Sequence, residues 1–203
     1  MKDNIRKQCK LKLPVVLASG SPRRKELLRM IFEEFETIVS DCEEVVTSRV
    51  PEMVTEELAR QKAEAVAESG RVKGAAVVIG ADTVVSINGE ILGKPHDRNE
   101  AHRMLHKLSG KSHKVSTGVA LLQLNEEGGI VNIRSFSETT LVKVAELTEE
   151  EISAYLDTDE PYDKAGAYGI QGLFGKYIEG IEGDYNNVVG LPVHRLYVEM
   201  RNL

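Results

Sequence analysis

Residues 75–94, AAVVIGADTVVSINGEILGK, decide the fold class. Ala75–Ile79 is an unbroken apolar run, the pattern of a strand covered on both faces. Asp82 ends that run, and Thr83–Ile87 begins a second one that leads into Asn88-Gly89 and Glu90–Leu92. An Asn-Gly pair between two such runs predicts a hairpin closed by a type I′ turn, because both central residues must take a positive φ. A buried strand reached through helices implies parallel crossovers, whereas a hairpin implies antiparallel pairing. The sheet is therefore mixed, and the class is α/β (mixed α+β) with helices flanking the sheet.

Working outward, Pro14–Ala18 reads as a short buried strand, Pro22–Ile31 as a helix and Phe35–Val39 as a strand. Thr55 is the expected N-cap of a helix to Ser69, closed by Gly70. Downstream, Asp97-Arg98-Asn99-Glu100 fits a capping box for a helix ending near Gly110. Val115–Leu124 and Ile130–Val144 form a long antiparallel pair around Asn125–Gly129. Thr148-Glu149-Glu150-Glu151 opens another boxed helix, and Pro192 is placed at the first position of the last one. No repeat, low-complexity tract or linker interrupts the chain. The expected organisation is a basic arm, residues 1–13, followed by a single domain, residues 14–203.

A chain of 203 residues can bury a core without staples. Its 26 Lys and Arg against 32 Asp and Glu give a net charge of −6, which argues against a general nucleic-acid binder but leaves room for a local cluster of cations. Cys9 and Cys42 have no CxxC partner, which favours a reducing compartment. Lys2, Arg6, Lys7, Lys10 and Lys12 precede the apolar patch Leu13–Ala18, but that patch contains Pro14 and is too short for the core of a signal peptide. With no run near the ~18 apolar residues of a membrane span, the expected location is the cytoplasm, with no membrane partner.

Four features carry candidate chemistry. In Leu17–Lys25, LASGSPRRK, Ser21 is placed as N-cap and Pro22 at the first helical position, so Arg23, Arg24 and Lys25 load an already positive helix end. That mismatch is worth ~0.3–1 kcal/mol per charge, and a bound anion would relieve it; a plain capped helix is the alternative. Asp82, between two apolar runs, is costly unless paired, ligated or lining a cleft. The hairpin register sets Thr83 opposite Lys94, and Asp82 opposite Pro95; a regular pleat points Asp82 and Lys94 to opposite faces, so shared use needs a bulge, which Gly93 could supply, and a structural Asp–Lys pair is the alternative to a shared site. The stretch Asp82-Thr83-Val84 lacks the DxD pattern of aspartyl-phosphate chemistry. Lys62 interrupts the helical stripe Leu58, Ala65, Val66, either to snorkel or to reach a phosphate. Gly166, Gly169, Gly172 and Gly175 recur every third residue, but fit neither GxGxxG nor a P-loop, since Ile170 and Tyr177 stand where Gly and Ser or Thr are required. They suit a loop that makes close backbone approaches, or a plain surface loop. His102 and His106 are spaced i,i+4, but with no HExxH glutamate and no nearby cysteine they read as surface display rather than a zinc site. No GxSxG elbow is present.

The blocks LASGSPRRKELL, IGADTVV, INGEILGKP, MLHKLSG, DEPYDKAGAYGIQG and GDYNNVVGLP, in this order from residue 17 to 192, resemble the Maf (septum formation) family. The resemblance implies a two-lobed mixed sheet with a central cleft, similar to the inosine triphosphate pyrophosphatases. It implies a nucleoside triphosphate pyrophosphatase that needs a divalent metal, Mg²⁺ or Mn²⁺. Asp82 matches the family's proton acceptor. Ser19, Arg23 and Arg24 match its phosphate-binding turn, Lys62 and Lys94 its cleft lysines, and Glu44 an acidic metal partner. Arg23, Thr83 and Gln171 match the branch acting on dTTP and UTP rather than 7-methyl-GTP. Gln171 carries a donor and an acceptor, suited to the carbonyl and N–H edge of uracil or thymine. The substrate partner is the nucleotide, and the family leans to a homodimer. The competing reading is a non-catalytic nucleotide- or partner-binding regulator of cell division. The arm 1–13 is longer than the family's usual start, and Met30-Ile31-Phe32 is bulkier than its usual turn.

Overall fold

The structure is a computed structural model that describes residues 13–203; apart from Leu13, the expected basic arm, with Cys9, lies outside the described residues. Seven strands, β1 (Val15–Leu17), β2 (Glu36–Thr37), β3 (Ala76–Ile87), β4 (Glu90–Leu92), β5 (Ser112–Leu124), β6 (Ile130–Val144) and β7 (Ile178–Glu182), pair in the order β2-β1-β3-β5-β6-β7, with β4 on β3. β1 pairs in parallel with β2 and with β3, each reached through helices, α1 (Pro22–Leu28) and α2 (Pro51–Glu68). β3 and β4 pair antiparallel with Ser86 opposite Ile91, and Asn88 and Gly89 take φ of 51° and 81°, the turn expected. β6 and β7 are also antiparallel. The mixed α/β class read from the sequence is the class observed.

The chain folds into two compact units. The first comprises the chain up to Asp82 with Thr117–Glu138 and Gly190–Leu203, and the second Thr83–Ser116 with Thr139–Val189. β3, β5 and β6 each contribute a part to both.

In the first unit α2 turns an alanine face, Ala59, Ala63 and Ala67, into a core with Val16, Val78 and Leu122. Small side chains let the helix backbone lie against the strands. A Cβ on Gly80 would stand 2.0 Å from the Ala59 carbonyl oxygen, and one on Gly118 2.2 Å from the Thr55 carbonyl carbon. α2 begins earlier than expected, with Val50 as N-cap and Pro51 in the first turn. Thr55 is not a cap but a buried interior residue, its hydroxyl donating to the Glu52 carbonyl at 2.8 Å. α1 stops at Leu28, short of Ile31, because the next amides turn back to i−3 carbonyls: Met30 N–H to Leu27 and Ile31 N–H to Leu28. β2 keeps only Glu36 and Thr37 of the expected Phe35–Val39. Pro192 is the N-cap of α6 (Val193–Arg201), one place before the position expected.

The second unit packs α3 (Arg98–Leu108) and α4 (Glu149–Leu156) on a core that includes Leu105, Leu108, Val142, Ile152 and Phe174. Asp97 caps α3 through the Glu100 N–H at 2.8 Å, while the Glu100 carboxylate reaches back to the His96 N–H rather than to that of Asp97. Thr148 and Glu151 complete the capping box of α4. The glycine-spaced segment is a chain of 3-10 turns at Glu160–Asp163, Ala165–Ala167 and Leu173–Tyr177, and its close approaches are to its own unit. Gly166 has φ +69°, and a Cβ there would meet the Val85 side chain at 2.9 Å; one on Gly172 would meet the Glu160 carboxylate at 2.2 Å. β7 and the short α5 (Tyr185–Val189) follow, neither of them expected from the sequence.

Candidate active site

β3 is buried along its length except at Asp82 and Thr83, where it opens. The glycine contact sets what meets Asp82. With the α2 backbone seated on Gly80, the next inward turn of the helix carries Lys62 to the strand. Lys62 Nζ donates to Asp82 Oδ1 at 2.5 Å and lies 2.9 Å from Glu44 Oε1. The lysine and aspartate side chains are 17% and 14% exposed, so water screens this pair less than a surface one, while Glu44 is 50% exposed.

Glu44 stands in the connection between β2 and α2, and α2 itself holds that segment. The Gln61 amide bonds both backbone groups of Val45, accepting from its N–H at 2.9 Å and donating to its carbonyl at 2.6 Å. One helical turn earlier, Glu57 accepts from the Thr47 N–H at 3.0 Å and from its hydroxyl at 2.5 Å. These bonds draw the Glu57 carboxyl below its ordinary range, the Thr47 hydroxyl contributing most.

The turn before α1 supplies the other charges. Ser21 caps α1 through the Arg24 N–H at 3.4 Å, and Ser19 Oγ accepts from the Ser21 N–H and from Arg24 Nη1, each at 3.3 Å. Arg24 Nε donates to the Gly190 carbonyl at 2.9 Å, so part of this guanidinium is committed to the fold. Burial lowers the Arg24 pKa from its ordinary value; the Asp82 charge opposes that shift most strongly, Arg23 reinforces it and Glu44 opposes it. Ser19, Arg23, Arg24, Glu44, Lys62 and Asp82 thus share one electrostatic neighbourhood within the first unit.

Thr83, Lys94 and Gln171 belong to the second unit. The β3–β4 ladder runs from Ile87 and Glu90 to Val85 and Leu92, and β4 then ends, so Lys94 lies beyond the ladder. Gly93 accepts from the Gly166 N–H at 3.0 Å. Within the first unit Asp82 makes its ion pair with Lys62. Gln171 is exposed between the second and third 3-10 turns.

A divalent metal can be tested against these residues. Glu44 and Asp82 direct carboxylate oxygens at one point of positive charge, marked by Lys62 Nζ. An all-oxygen anionic donor pair is what a hard cation such as Mg²⁺ or Mn²⁺ takes, so the residues fit. The sequence signals that would have found Gln61 and Glu57 are weak, since polar residues on an exposed helix face are unremarkable by themselves.

A family model described as Maf-like protein matches residues 14–203. The chain belongs to the Maf family. Among its Maf relatives, a protein of Agathobacter rectalis named dTTP/UTP pyrophosphatase is 49% identical, over 93% of this chain and 97% of that protein. One of the same name from Carboxydothermus hydrogenoformans is 50% identical, over 93% of this chain and 98% of that protein. A solved nucleoside-triphosphatase / dITP/XTP pyrophosphatase of Mycobacterium abscessus is 17% identical with a TM-score of 0.37, covering 70% of this chain and 93% of that one. Among the described residues no helix is long and apolar enough to cross a membrane.

Proposed function

We propose that this Maf chain hydrolyses dTTP and UTP between the α- and β-phosphates, adding water to give the nucleoside monophosphate and pyrophosphate. The observation that carries the reading is the Lys62–Asp82 pair at the opening of β3, with Glu44 on the same ammonium. A triphosphate concentrates negative charge, and catalysis there rests on cations positioned before the reaction begins. Arg23, Arg24, Lys62 and Lys94 supply positive charge, and Ser19 holds the turn that presents the two arginines. Oδ1 of Asp82 is taken by Lys62, which leaves Oδ2 to accept the proton of the attacking water. Substrate phosphate competes with Asp82 for Lys62 as it binds.

Glu44 and the Asp82 oxygen that Lys62 releases to phosphate would hold Mg²⁺ or Mn²⁺, which when bound neutralises phosphate charge and acidifies water. Thr83 and Gln171 are assigned to the nucleotide, Gln171 to the pyrimidine edge. The reading carries with it a cytoplasmic location, free nucleotide rather than nucleic acid as partner, and a homodimer.

The test is pyrophosphate release from a panel of nucleoside triphosphates with Mg²⁺, with Mn²⁺ and with EDTA, for the wild type and Asp82→Asn. Metal-dependent release from dTTP and UTP, abolished in Asp82→Asn while nucleotide still binds, is the expected result. A variant that keeps most of its rate removes Asp82 as the base. Turnover of 7-methyl-GTP instead removes the assignment of Arg23, Thr83 and Gln171. Binding without any turnover would favour a regulatory binding protein.

A further inference from the structure

His102 and His106 stand one turn apart on α3, and Glu149 is the first residue of α4. His102 Nε2 lies 2.5 Å from Glu149 Oε1, and His106 Nε2 lies 2.8 Å from Oε2. The two rings are 4.5 Å apart between centroids and tilted by 55°. One ligand atom from each of the three residues falls within 4.8 Å of the others. The sequence shows only the histidine pair; the packing of α3 on α4 adds the carboxylate.

We propose that His102, His106 and Glu149 form a site for a borderline divalent transition metal such as Zn²⁺, apart from the carboxylates of the first unit and different in chemistry. Two imidazoles at i,i+4 on one helix face form a chelate, and a carboxylate completes three protein ligands, leaving a fourth tetrahedral position for water. In the present arrangement each imidazole presents its Nε2–H to the same carboxylate; on binding a cation a neutral ring carries that proton on Nδ1 instead, an imidazolium releases it to solvent, and the two freed Nε2 lone pairs and the carboxylate then bind the ion together. The hydrogen bond from His102, then that from His106, holds the Glu149 carboxyl below its ordinary range, which keeps it in the anionic form that a metal needs. Imidazole nitrogen favours Zn²⁺, Ni²⁺ and Cu²⁺ over Mg²⁺ and Mn²⁺, so the site ignores the cations assigned to Glu44 and Asp82. The side chains are 37%, 48% and 60% exposed, so an ion reaches them without unfolding. Bound metal ties the body of α3 to the start of α4 and braces the second unit.

The experiment is calorimetric titration of the tag-free full chain with Zn²⁺ in the presence of millimolar Mg²⁺, beside the visible spectrum of the Co²⁺ form. Expected is one Zn²⁺ per chain, its affinity reduced on the order of 100-fold in His106→Gln and in Glu149→Gln. Glu150→Gln should bind as the wild type does. The Co²⁺ spectrum should show weak d–d bands with no thiolate charge-transfer band, which separates this site from Cys42. Melting temperature should rise with Zn²⁺ in the wild type and not in His102→Gln/His106→Gln, while Mg²⁺-dependent pyrophosphate release is the same in both. No binding by the wild type, or equal binding by the double variant, overturns the proposal.

Discussion

Replacing His113 by Phe should remove a large part of the protein's sensitivity to acid. His113 lies in β5 with 1% of its surface exposed. Its Nε2 is 2.7 Å from the Tyr168 hydroxyl, its ring meets that of Tyr168 edge-on at 5.3 Å, and Nδ1 has no hydrogen-bond partner among the described residues. Burial pushes the imidazole down from 6.5 to about 4. Between those values the unfolded chain binds a proton that the folded chain refuses, so stability rises with pH across this window and falls as acid is added. At ~1.4 kcal/mol per pH unit the loss is capped near ~3 kcal/mol, and between pH 7 and 4.5 it amounts to ~2.5 kcal/mol. Phe cannot titrate; it leaves the Tyr168 hydroxyl unpaired, a cost of ~1–3 kcal/mol that does not vary with pH over this range. Urea unfolding followed by circular dichroism at pH 7, 6, 5 and 4.5 separates the two effects. The wild type should lose ~2.5 kcal/mol more than His113→Phe between the extremes. Curves that stay parallel to within ~0.5 kcal/mol would refute the reasoning, because they would mean that the folded protein accepts the charged imidazole.

Gly80→Ala should destabilise by more than ~3 kcal/mol, since the new Cβ meets the Ala59 carbonyl at 2.0 Å, backbone against backbone. Gly89→Ala, with φ +81° and nothing within 4 Å, should lose only ~1–2 kcal/mol; thermal and urea unfolding that rank them the other way would contradict the helix–strand contact. Gln61→Ala releases Val45 and with it Glu44, so half-maximal pyrophosphate release should need ~10-fold more Mn²⁺ while the rate at saturating metal changes little. An unchanged metal requirement would detach Glu44 from the metal.

What the sequence made legible was local. Asn88-Gly89 admits one turn type and one register, and Thr148 with Glu151 is a cap that needs no partner elsewhere. Lys62 stood out because a charge in an apolar stripe is visible at helical spacing. Its partner was not, since the choice between Lys62 and Lys94 for Asp82 depends on where α2 touches β3. The glycine that decides this, Gly80, reads in a strand only as a missing side chain. The start of α2 is hidden for a related reason: Val50 offers no capping oxygen, so Thr55, the next Ser, Thr, Asp or Asn downstream, takes its place, although Pro51 marks the true first turn. Glu149 could not be linked to His102 and His106, because nothing in a helix's first residue says which neighbour it will face. β7 and α5 are too short for either periodicity to register.

The first unit is assembled from three separated stretches of chain, and the last of them, Gly190–Leu203, brings the carbonyl that Arg24 Nε binds. Synthesis proceeds from the N-terminus, so the turn carrying Ser19, Arg23 and Arg24 leaves the ribosome long before its partner at Gly190 exists. The second unit, by contrast, has all its residues in hand by Val189. A nascent chain of this protein therefore completes the unit made later in sequence before it can close the one it began with. The arginine turn is finished last, and a chain released before Gly190 carries it without that bond.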